Sequence, residues 1–205
     1  LGGMATVSDS PISPYTWGYN SSMKYECDVE KAKELLAEAG YPDGIELELW
    51  TPVGRYLMDT QVSENLQAQW EKAGIHVNIR QWEFQALMSE VKNGGFDMVL
   101  LGWSPSTGDA DQGLYPVFHS SQFPPNSNRA FYNNPDVDAL LDSAKTEVDE
   151  NARKDMYAEA EKTIMEDAAW TFLYYPKQAL SYRSNVSGIE MLPTEHIMLE
   201  KVTKQ

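Results

Sequence analysis

The first half of the chain alternates between stretches with the apolar spacing of strands and stretches with that of helices. Residues 45–50 and 75–79 alternate apolar and polar side chains, which predicts two half-exposed strands. Residues 96–101 are apolar apart from Asp97, which predicts a strand covered on both faces. Apolar residues at helical spacing precede each strand: Val29, Ala32, Leu35, Leu36 and Ala39; Val62, Leu66, Trp70 and Ala73; and Phe84, Leu87, Met88 and Val91. This order of elements indicates an α/β fold with parallel strands joined by right-handed crossovers.

Helical spacing dominates the second half of the chain. Asn134 followed by Pro135 is typical of the start of a helix, because the asparagine side chain caps free N–H groups and proline fits the first turn. A longer helix is predicted from about Glu150 to Asp167. The remaining predicted elements are a short helix over residues 114–118 and strands over residues 171–175 and 179–182.

The two ends of the chain show little periodicity. Residues 1–27 are rich in Ser, Pro, Tyr and Gly and are expected to form an extended or loop segment. From Ser184 onward the pattern is weak, although several apolar residues occur there. These residues need a partner surface that we do not expect this chain to supply: Ile189, Met191, Leu192, Ile197 and Leu199.

Composition narrows the classes of partner. The formal net charge of −15 argues against nucleic acid, whose phosphates require Lys and Arg, and disfavours binding to anionic lipid. Solubility alone is a simpler explanation of the same charge. With Cys27 as the sole cysteine, no disulfide can form within the chain. No apolar run approaches the roughly 18 residues that a membrane-spanning helix needs.

The segment from Gly102 to Asp111 is the strongest candidate for a binding site. It reads Gly-Trp-Ser-Pro-Ser-Thr-Gly-Asp-Ala-Asp and directly follows the apolar strand over residues 96–101. Open α/β folds bind ligands at the carboxyl ends of their strands, and a hydrophobic core would not accommodate this composition. An indole beside hydroxyl and carboxylate groups suits a zwitterionic or amide-rich ligand. The predicted ligand-binding residues of this segment are Trp103, Ser104, Ser106, Thr107, Asp109 and Asp111.

Arg55 is a further candidate, because it lies in a Gly-Arg-Tyr loop just after a predicted strand. An arginine in such a loop can bind a carboxylate through two hydrogen bonds. A surface ion pair is the alternative explanation for this residue.

Neither a metal site nor a cofactor is predicted. His76, His119 and His196 lie in separate elements, and none has another His or a Cys at ligand spacing. Asp109 and Asp111 resemble the start of a calcium loop, but the bidentate glutamate of such a loop is replaced by Ser120. Gly-rich phosphate motifs and the serine nucleophile motif of hydrolases are also unmatched. A hydrolase that uses Ser104 or Ser106 stays open as an alternative, because a triad can be assembled from distant residues.

Several segments resemble the extracytoplasmic solute-binding proteins of peptide-type ABC importers, family 5. The most specific is the pattern Asp-x-x-x-Ala-x-x-Leu-Leu-x-x-Ala-Gly-Tyr over residues 28–41, combined with the later Gly-Trp at a strand end. The matching segments are residues 17–20, 28–41, 74–75, 96–103 and 133–141.

This resemblance implies the C-terminal lobe of a two-lobed protein, with a type II periplasmic-binding-protein-like α/β fold and a mainly parallel sheet flanked by helices. It implies an inter-lobe or hinge segment over residues 1–27, a ligand-binding lobe over residues 28–183, and a tail over residues 184–205 that returns to an N-terminal lobe outside this chain. The implied protein is not an enzyme and carries no cofactor. It binds a small peptide outside the cytoplasmic membrane, in the periplasm or as a cell-surface lipoprotein, and delivers it to an ABC permease.

The resemblance also suggests which peptide is bound. In peptide-binding relatives, an acidic residue three positions after the Gly-Trp tryptophan commonly holds the α-ammonium of the ligand, whereas this chain has Ser106 there. Loss of a charge-assisted hydrogen bond costs roughly 1.5–3 kcal/mol, which disfavours ordinary free-amine peptides. The run from Gly102 to Asp111 most resembles the glutathione-binding branch, in which Asp109 or Asp111 would receive the amine. A protein-interaction lobe without a small ligand is a further alternative.

Overall fold

A computed structural model describes residues 1–21 and 24–205. Its α-helices are α1 (Val29–Glu38), α2 (Asp59–Trp70), α3 (Phe84–Glu90), α4 (Ala110–Phe118), α5 (Pro135–Thr146) and α6 (Glu150–Glu166). Its strands are β1 (Ala5–Val7), β2 (Ile45–Pro52), β3 (Ile75–Trp82), β4 (Met98–Val99), β5 (Tyr174–Pro176), β6 (Val186–Ser187), β7 (Glu190–Met191), β8 (Ile197–Met198) and β9 (Thr203–Lys204).

The chain divides into two compact units. The first unit contains Leu1 and Tyr25–Gly102, and the second contains Gly2–Lys24 and Trp103–Gln205. This division differs from the segments predicted from the sequence, which place one lobe over residues 28–183. Those predicted boundaries refer to a larger protein and stay a prediction.

The first unit contains a three-stranded parallel sheet in the order β3-β2-β4. β2 and β3 are paired from Ile45 opposite Ile75 to Pro52 opposite Trp82, with α2 in the connection between them. Trp50 of β2 packs with Leu87 of α3 and with Val91, directly after α3, to form a buried cluster. The predicted α/β class with a parallel sheet flanked by helices is therefore confirmed.

The third predicted strand is shorter than expected. It was predicted over residues 96–101 and covered on both faces, but β4 is confined to Met98–Val99, and both residues are half-buried. The Asp97 carboxylate accepts a hydrogen bond from the backbone N–H of Glu48 at 2.8 Å, so a side chain replaces one backbone pairing at the start of the strand. After Leu100, the Gly102 N–H donates to the Tyr56 hydroxyl at 2.8 Å instead of to a strand.

The second unit contains the larger core, built from α4, α5 and α6. Phe118, Leu141, Tyr157 and Ile164 are almost completely buried there. The predicted start of α5 is confirmed, since the Asn134 side chain accepts from the N–H of Asp136 and Val137. The long predicted helix matches α6. α4 begins earlier than the predicted short helix over residues 114–118, because the segment before it supplies its N-terminal cap.

The N-terminal segment belongs to the core of the second unit. β1 pairs with β5 in antiparallel fashion, and Ile12 is buried at 3% exposure. Glu161 of α6 is fully buried; it accepts hydrogen bonds from the Ser10 hydroxyl and, at 3.1 Å, from the Asn20 N–H. Burial raises the pKa of Glu161 to about 8, although these hydrogen bonds act in the opposite direction.

The last part of the chain departs from the predicted strands. The strand predicted over residues 171–175 forms only as β5, at Tyr174–Pro176, and residues 179–182 form no strand. Two short antiparallel pairs follow, β6 with β9 and β7 with β8. Ile197 and Leu199 are 47% and 62% exposed, whereas Ile189, Met191 and Leu192 are half-buried. The need of this tail for a partner surface stays a prediction.

Across residues 1–21 and 24–205, no helix combines the length and apolar character needed to cross a membrane. Over the same ranges, no group of three or more His, Cys, Asp or Glu side chains is arranged to hold a metal ion.

Candidate functional site

The predicted site residues fall in both units. Six of them lie in the second unit, from its residue 103 to the first turn of α4: Trp103, Ser104, Ser106, Thr107, Asp109 and Asp111. We call residues 103–107 the Trp103 loop. Arg55 lies in the first unit, in the connection between β2 and α2.

Trp103 presents its ring to solvent while its polar atom is used internally. Its side chain is 40% exposed, and the indole Nε1–H donates to the main-chain oxygen of Gln112 at 2.8 Å. The ring is therefore held in place from the first turn of α4. What it offers to a ligand is an aromatic face rather than a hydrogen-bond donor.

The Gln112 side chain also holds the polar part of the Trp103 loop. Its Oε1 accepts from the Ser106 hydroxyl and from the Thr107 N–H, both at 2.9 Å. The Thr107 hydroxyl in turn accepts from the Asp109 N–H at 3.3 Å. Ser104 is exposed on the same loop. The hydroxyl groups thus lie on a loop that is braced by α4, although sequence reasoning did not identify Gln112.

Asp109 caps α4 and is paired with Arg153. Its side chain accepts from the Asp111 N–H at 2.9 Å, and Arg153 donates to its two oxygens at 2.8 and 2.9 Å. Burial raises the pKa of Asp109, but the Arg153 and Asp111 hydrogen bonds outweigh burial and lower the pKa below its ordinary value. Both oxygens of this predicted ligand-binding residue therefore already accept hydrogen bonds within the second unit.

Arg153 of α6 is held by several further groups. It donates to the main-chain oxygen of Ala144 and to the Tyr157 hydroxyl, each at 3.0 Å. Its guanidinium lies 4.6 Å from the centre of the Trp17 ring. Arg153 and Asp109 are 44 residues apart, so no local pattern in the sequence could have identified the pair.

An open depression of about 480 Å³ borders this ion pair. It is lined by Trp17, Asp109, Lys145, Glu147, Val148, Glu150 and Arg153. Trp103 and Ser106 do not contribute to it, so the depression is separate from the exposed face of the Trp103 loop.

Asp111 is in a different position from Asp109. It lies in the first turn of α4 and is half-buried. Among the residues that the structure describes, its buried Oδ1 has no hydrogen-bond partner. Of the two carboxylates predicted to receive an amine, Asp111 is thus the one that retains an unused oxygen.

Arg55 is presented by a turn that Asp59 organises. The nearly buried Asp59 carboxylate accepts from the N–H groups of Arg55 and Tyr56 at 2.9 and 3.1 Å. The Arg55 guanidinium lies 5.0 Å from the centre of the Tyr56 ring and 5.1 Å from that of Phe84. Within the described part of the chain, Arg55 forms no ion pair, and its role in binding a ligand stays a prediction. An exposed guanidinium stacked on aromatic rings retains its donors for an anionic group.

Comparison with known proteins relates the chain to a family. A sequence profile of bacterial extracellular solute-binding proteins, family 5 (middle region), matches residues 1–125. Heme-binding protein A of Haemophilus influenzae is 36% identical over 172 residues, which cover 82% of this chain and 31% of that protein. Glutathione-binding protein GsiB of Salmonella choleraesuis is 33% identical over 197 residues, covering 93% of this chain and 38% of that protein.

Solved structures agree with the sequence comparison. The ABC transporter-associated periplasmic binding protein DppA from Helicobacter pylori, in complex with the peptide STSA, superposes with a TM-score of 0.85 at 33% identity. The match covers 91% of this chain and 36% of DppA, so the fold is that of type II periplasmic binding proteins. The chain spans only about a third of the length of these relatives, all of which are named as binding proteins. The chain therefore belongs to family 5 of the bacterial extracellular solute-binding proteins.

Proposed function

We propose that this chain is the C-terminal lobe of a solute-binding protein that captures a small peptide outside the cytoplasmic membrane and delivers it to an ABC permease. The N-terminal lobe would be supplied by sequence outside this chain. Glutathione is the first ligand to test, because GsiB, a relative that covers 93% of this chain, is named for binding it. The observation that carries the proposal is the exposed Trp103 ring on a polar loop that is already braced.

The geometry of the Trp103 loop supports a peptide ligand. An aromatic face packs well against a peptide plane or an aliphatic side chain, while hydroxyl groups satisfy the polar backbone of the ligand. Ser104, Ser106, Thr107 and Asp111 are proposed as the polar contacts of this surface. Asp109 is proposed to contribute through its position at the start of α4, since Arg153 engages both of its oxygens.

Arg55 is proposed to bind a carboxylate of the peptide. Its guanidinium is exposed, stacked on Tyr56 and Phe84, and not paired with an acidic residue of the described chain. A peptide ligand always offers at least one carboxylate unless its C-terminus is blocked, and a planar guanidinium binds such a group through two hydrogen bonds.

The chain is proposed to bind rather than to catalyse. A serine nucleophile needs a neighbouring base that can take its proton. The Ser106 hydroxyl instead donates to the amide oxygen of Gln112, which has no basic character at neutral pH. The hydrolase alternative is therefore disfavoured for Ser106.

Isothermal titration of the full-length protein that carries this chain tests the proposal. The ligands are reduced glutathione and a panel of dipeptides and tripeptides, with Trp103→Ala as the variant and Tyr182→Ala, an exposed aromatic 54% accessible, as the control. We expect binding of at least one ligand, and a loss of about tenfold or more in affinity for Trp103→Ala, because ring contacts of this kind dominate binding. The affinity of the Tyr182→Ala control for the same ligand should be unchanged.

Two results would contradict the proposal. Absence of binding across the whole panel would remove the peptide hypothesis and favour a protein-interaction lobe. Hydrolysis of a chromogenic peptide that Ser104→Ala or Ser106→Ala abolishes would favour the enzyme instead.

A further inference from the structure

The orientation of the Gln112 side chain is determined by its neighbours. Oxygen and nitrogen of a glutamine amide are distinguished by the groups they face. The Thr107 N–H, 2.9 Å away, can only donate, so the atom facing it is the amide oxygen. The same oxygen lies 2.9 Å from the Ser106 hydroxyl. Since a carbonyl oxygen can only accept, the Ser106 hydroxyl is the donor in that contact.

This arrangement assigns a direction to the Ser106 hydroxyl. A serine hydroxyl has one proton, and here that proton is used in the bond to Gln112. What remains for a ligand is the oxygen with its lone pairs, so Ser106 acts as an acceptor. Trp103 has no donor left either, because its Nε1–H is bonded to the main-chain oxygen of Gln112.

We infer that Gln112 is a specificity-determining positioning residue, which turns Ser106 into a neutral acceptor for an amide N–H of the bound peptide. The inference rests on the proposed function of the Trp103 loop. A neutral hydroxyl oxygen suits a neutral amide N–H better than an ammonium, which is bound most strongly by a carboxylate. A carboxylate of the ligand would be rejected at Ser106, because two acceptors would face each other.

The first experiment examines the loop itself, in this chain. Gln112→Met keeps the length of the side chain but removes the acceptor, and Gln112→Glu restores an acceptor oxygen. We expect hydrogen exchange at the Thr107 amide to accelerate about tenfold or more in Gln112→Met and to return towards the wild-type rate in Gln112→Glu. The NMR signal of the Trp103 indole N–H should stay in place in both variants, because its partner is the main chain of residue 112.

This pair of readouts separates positioning from loss of the helix. Simultaneous loss of the Thr107 and Trp103 protection in both variants would mean that α4 itself unravels, which would overturn a specific role for the side chain. Unchanged Thr107 exchange in Gln112→Met would overturn it as well. Gln85→Met, at an exposed position of α3, is the matched control.

The second experiment tests selectivity in the full-length protein. The probes are glutathione and Ala-Ala, each with analogues in which an ester oxygen replaces one amide N–H in turn. We expect the wild-type protein to bind the parent peptide about tenfold more tightly than one ester analogue, as for the loss of one hydrogen bond. Gln112→Met should reduce this ratio to about twofold, and Gln112→Glu should largely preserve it.

The outcomes distinguish the inference from the proposed function. Equal affinity of the wild-type protein for parents and esters, with binding still dependent on Trp103, would overturn the inference and leave the proposed function standing. The inference would also be overturned if Gln112→Met retained the full ratio between the affinities for the parent peptide and its ester analogue. Failure of both parent peptides to bind would refute the proposed ligand class, and the role of Gln112 in selecting it would fall with it.

Discussion

At the scale of single residues, Glu161 shows how strongly the fold changes the chemistry of a side chain. It lies on the same face of α6 as the buried Tyr157 and Ile164, whereas Glu159 on the same helix is exposed. The N-terminal segment packs on this face and supplies its hydrogen-bond donors, Ser10 and Asn20. Its Oε1 has no hydrogen-bond partner among residues 1–21 and 24–205, and Asp9 adds a nearby negative charge that also raises the pKa.

The raised pKa predicts a specific dependence of stability on pH. Glu161 keeps its proton up to about pH 8 in the folded state, against an ordinary pKa of 4.5. Between these values the folded state binds more protons than the unfolded state, so the free energy of unfolding falls as pH rises. Glu161→Gln removes this dependence of stability on pH, and its amide oxygen retains an acceptor for Ser10 and Asn20.

Thermal unfolding from pH 5 to pH 9 measures the effect. We expect Glu161→Gln to resemble the wild-type chain near pH 5 and to be more stable by roughly 3–5 kcal/mol above pH 8, since each pKa unit corresponds to about 1.4 kcal/mol. Glu159→Gln, an exposed position on the same helix, should follow the wild-type curve. Parallel curves for the wild-type chain and Glu161→Gln would show that this carboxyl titrates normally.

At the scale of elements, the Asn-Pro pair predicted the start of α5, where the Asn134 side chain caps the helix. Asp28 caps α1 in the same way, whereas the cap of α4 by Asp109 was not predicted. The strands were harder to predict, because β4 is limited by the Asp97 side chain and the pairing of Gly102 with Tyr56. These contacts join residues that are far apart in the sequence, and hydrophobic periodicity contains no information about them.

The same contrast applies to the candidate site. The exposed indole and its polar neighbours could be predicted, since their composition does not suit a core. The bracing groups could not, because Arg153 has no local relation to Asp109, and Gln112 looks like any polar residue of a helix. Asp109 is both the N-terminal cap of α4 and the ion-pair partner of Arg153.

Alanine substitutions at two helix caps separate these roles. Asp149→Ala removes a cap of α6 whose side chain, among the residues that the structure describes, accepts from backbone N–H groups alone, and should cost about 1 kcal/mol. Asp109→Ala removes a cap of α4 and also leaves Arg153 without its carboxylate, and should cost roughly 2–4 kcal/mol. Asp109→Asn keeps the cap and should give an intermediate loss. Urea unfolding measures all three, and equal losses for the two alanine variants would refute a stabilising role of the ion pair.

At the scale of the whole molecule, the chain covers about a third of its relatives. Under the proposed function, the peptide would therefore be bound only partly by this chain. A ligand that binds the folded state stabilises it by about 2.7 kcal/mol at 100 times its dissociation constant. We choose the glutathione concentration that gives this stabilisation in the full-length protein. At that concentration, we expect the isolated 205-residue chain to be stabilised by less than half as much. Thermal shift assays on both forms provide the comparison. Equal shifts would show that no second lobe is required.

The N-terminal segment has a practical consequence for dividing this protein. A shortened chain that begins at Asp28, where helical periodicity first becomes visible, would keep the residues of every helix and of the parallel sheet. It would lack Trp17, however. The backbone N–H of Trp17 donates to the Gly108 carbonyl oxygen at 2.8 Å, and the Trp17 carbonyl oxygen accepts from the Ala110 N–H at 2.9 Å. Because those bonds fix the residues at the start of α4, we expect the shortened chain to lose order in the neighbouring Trp103 loop, which carries most of the candidate site.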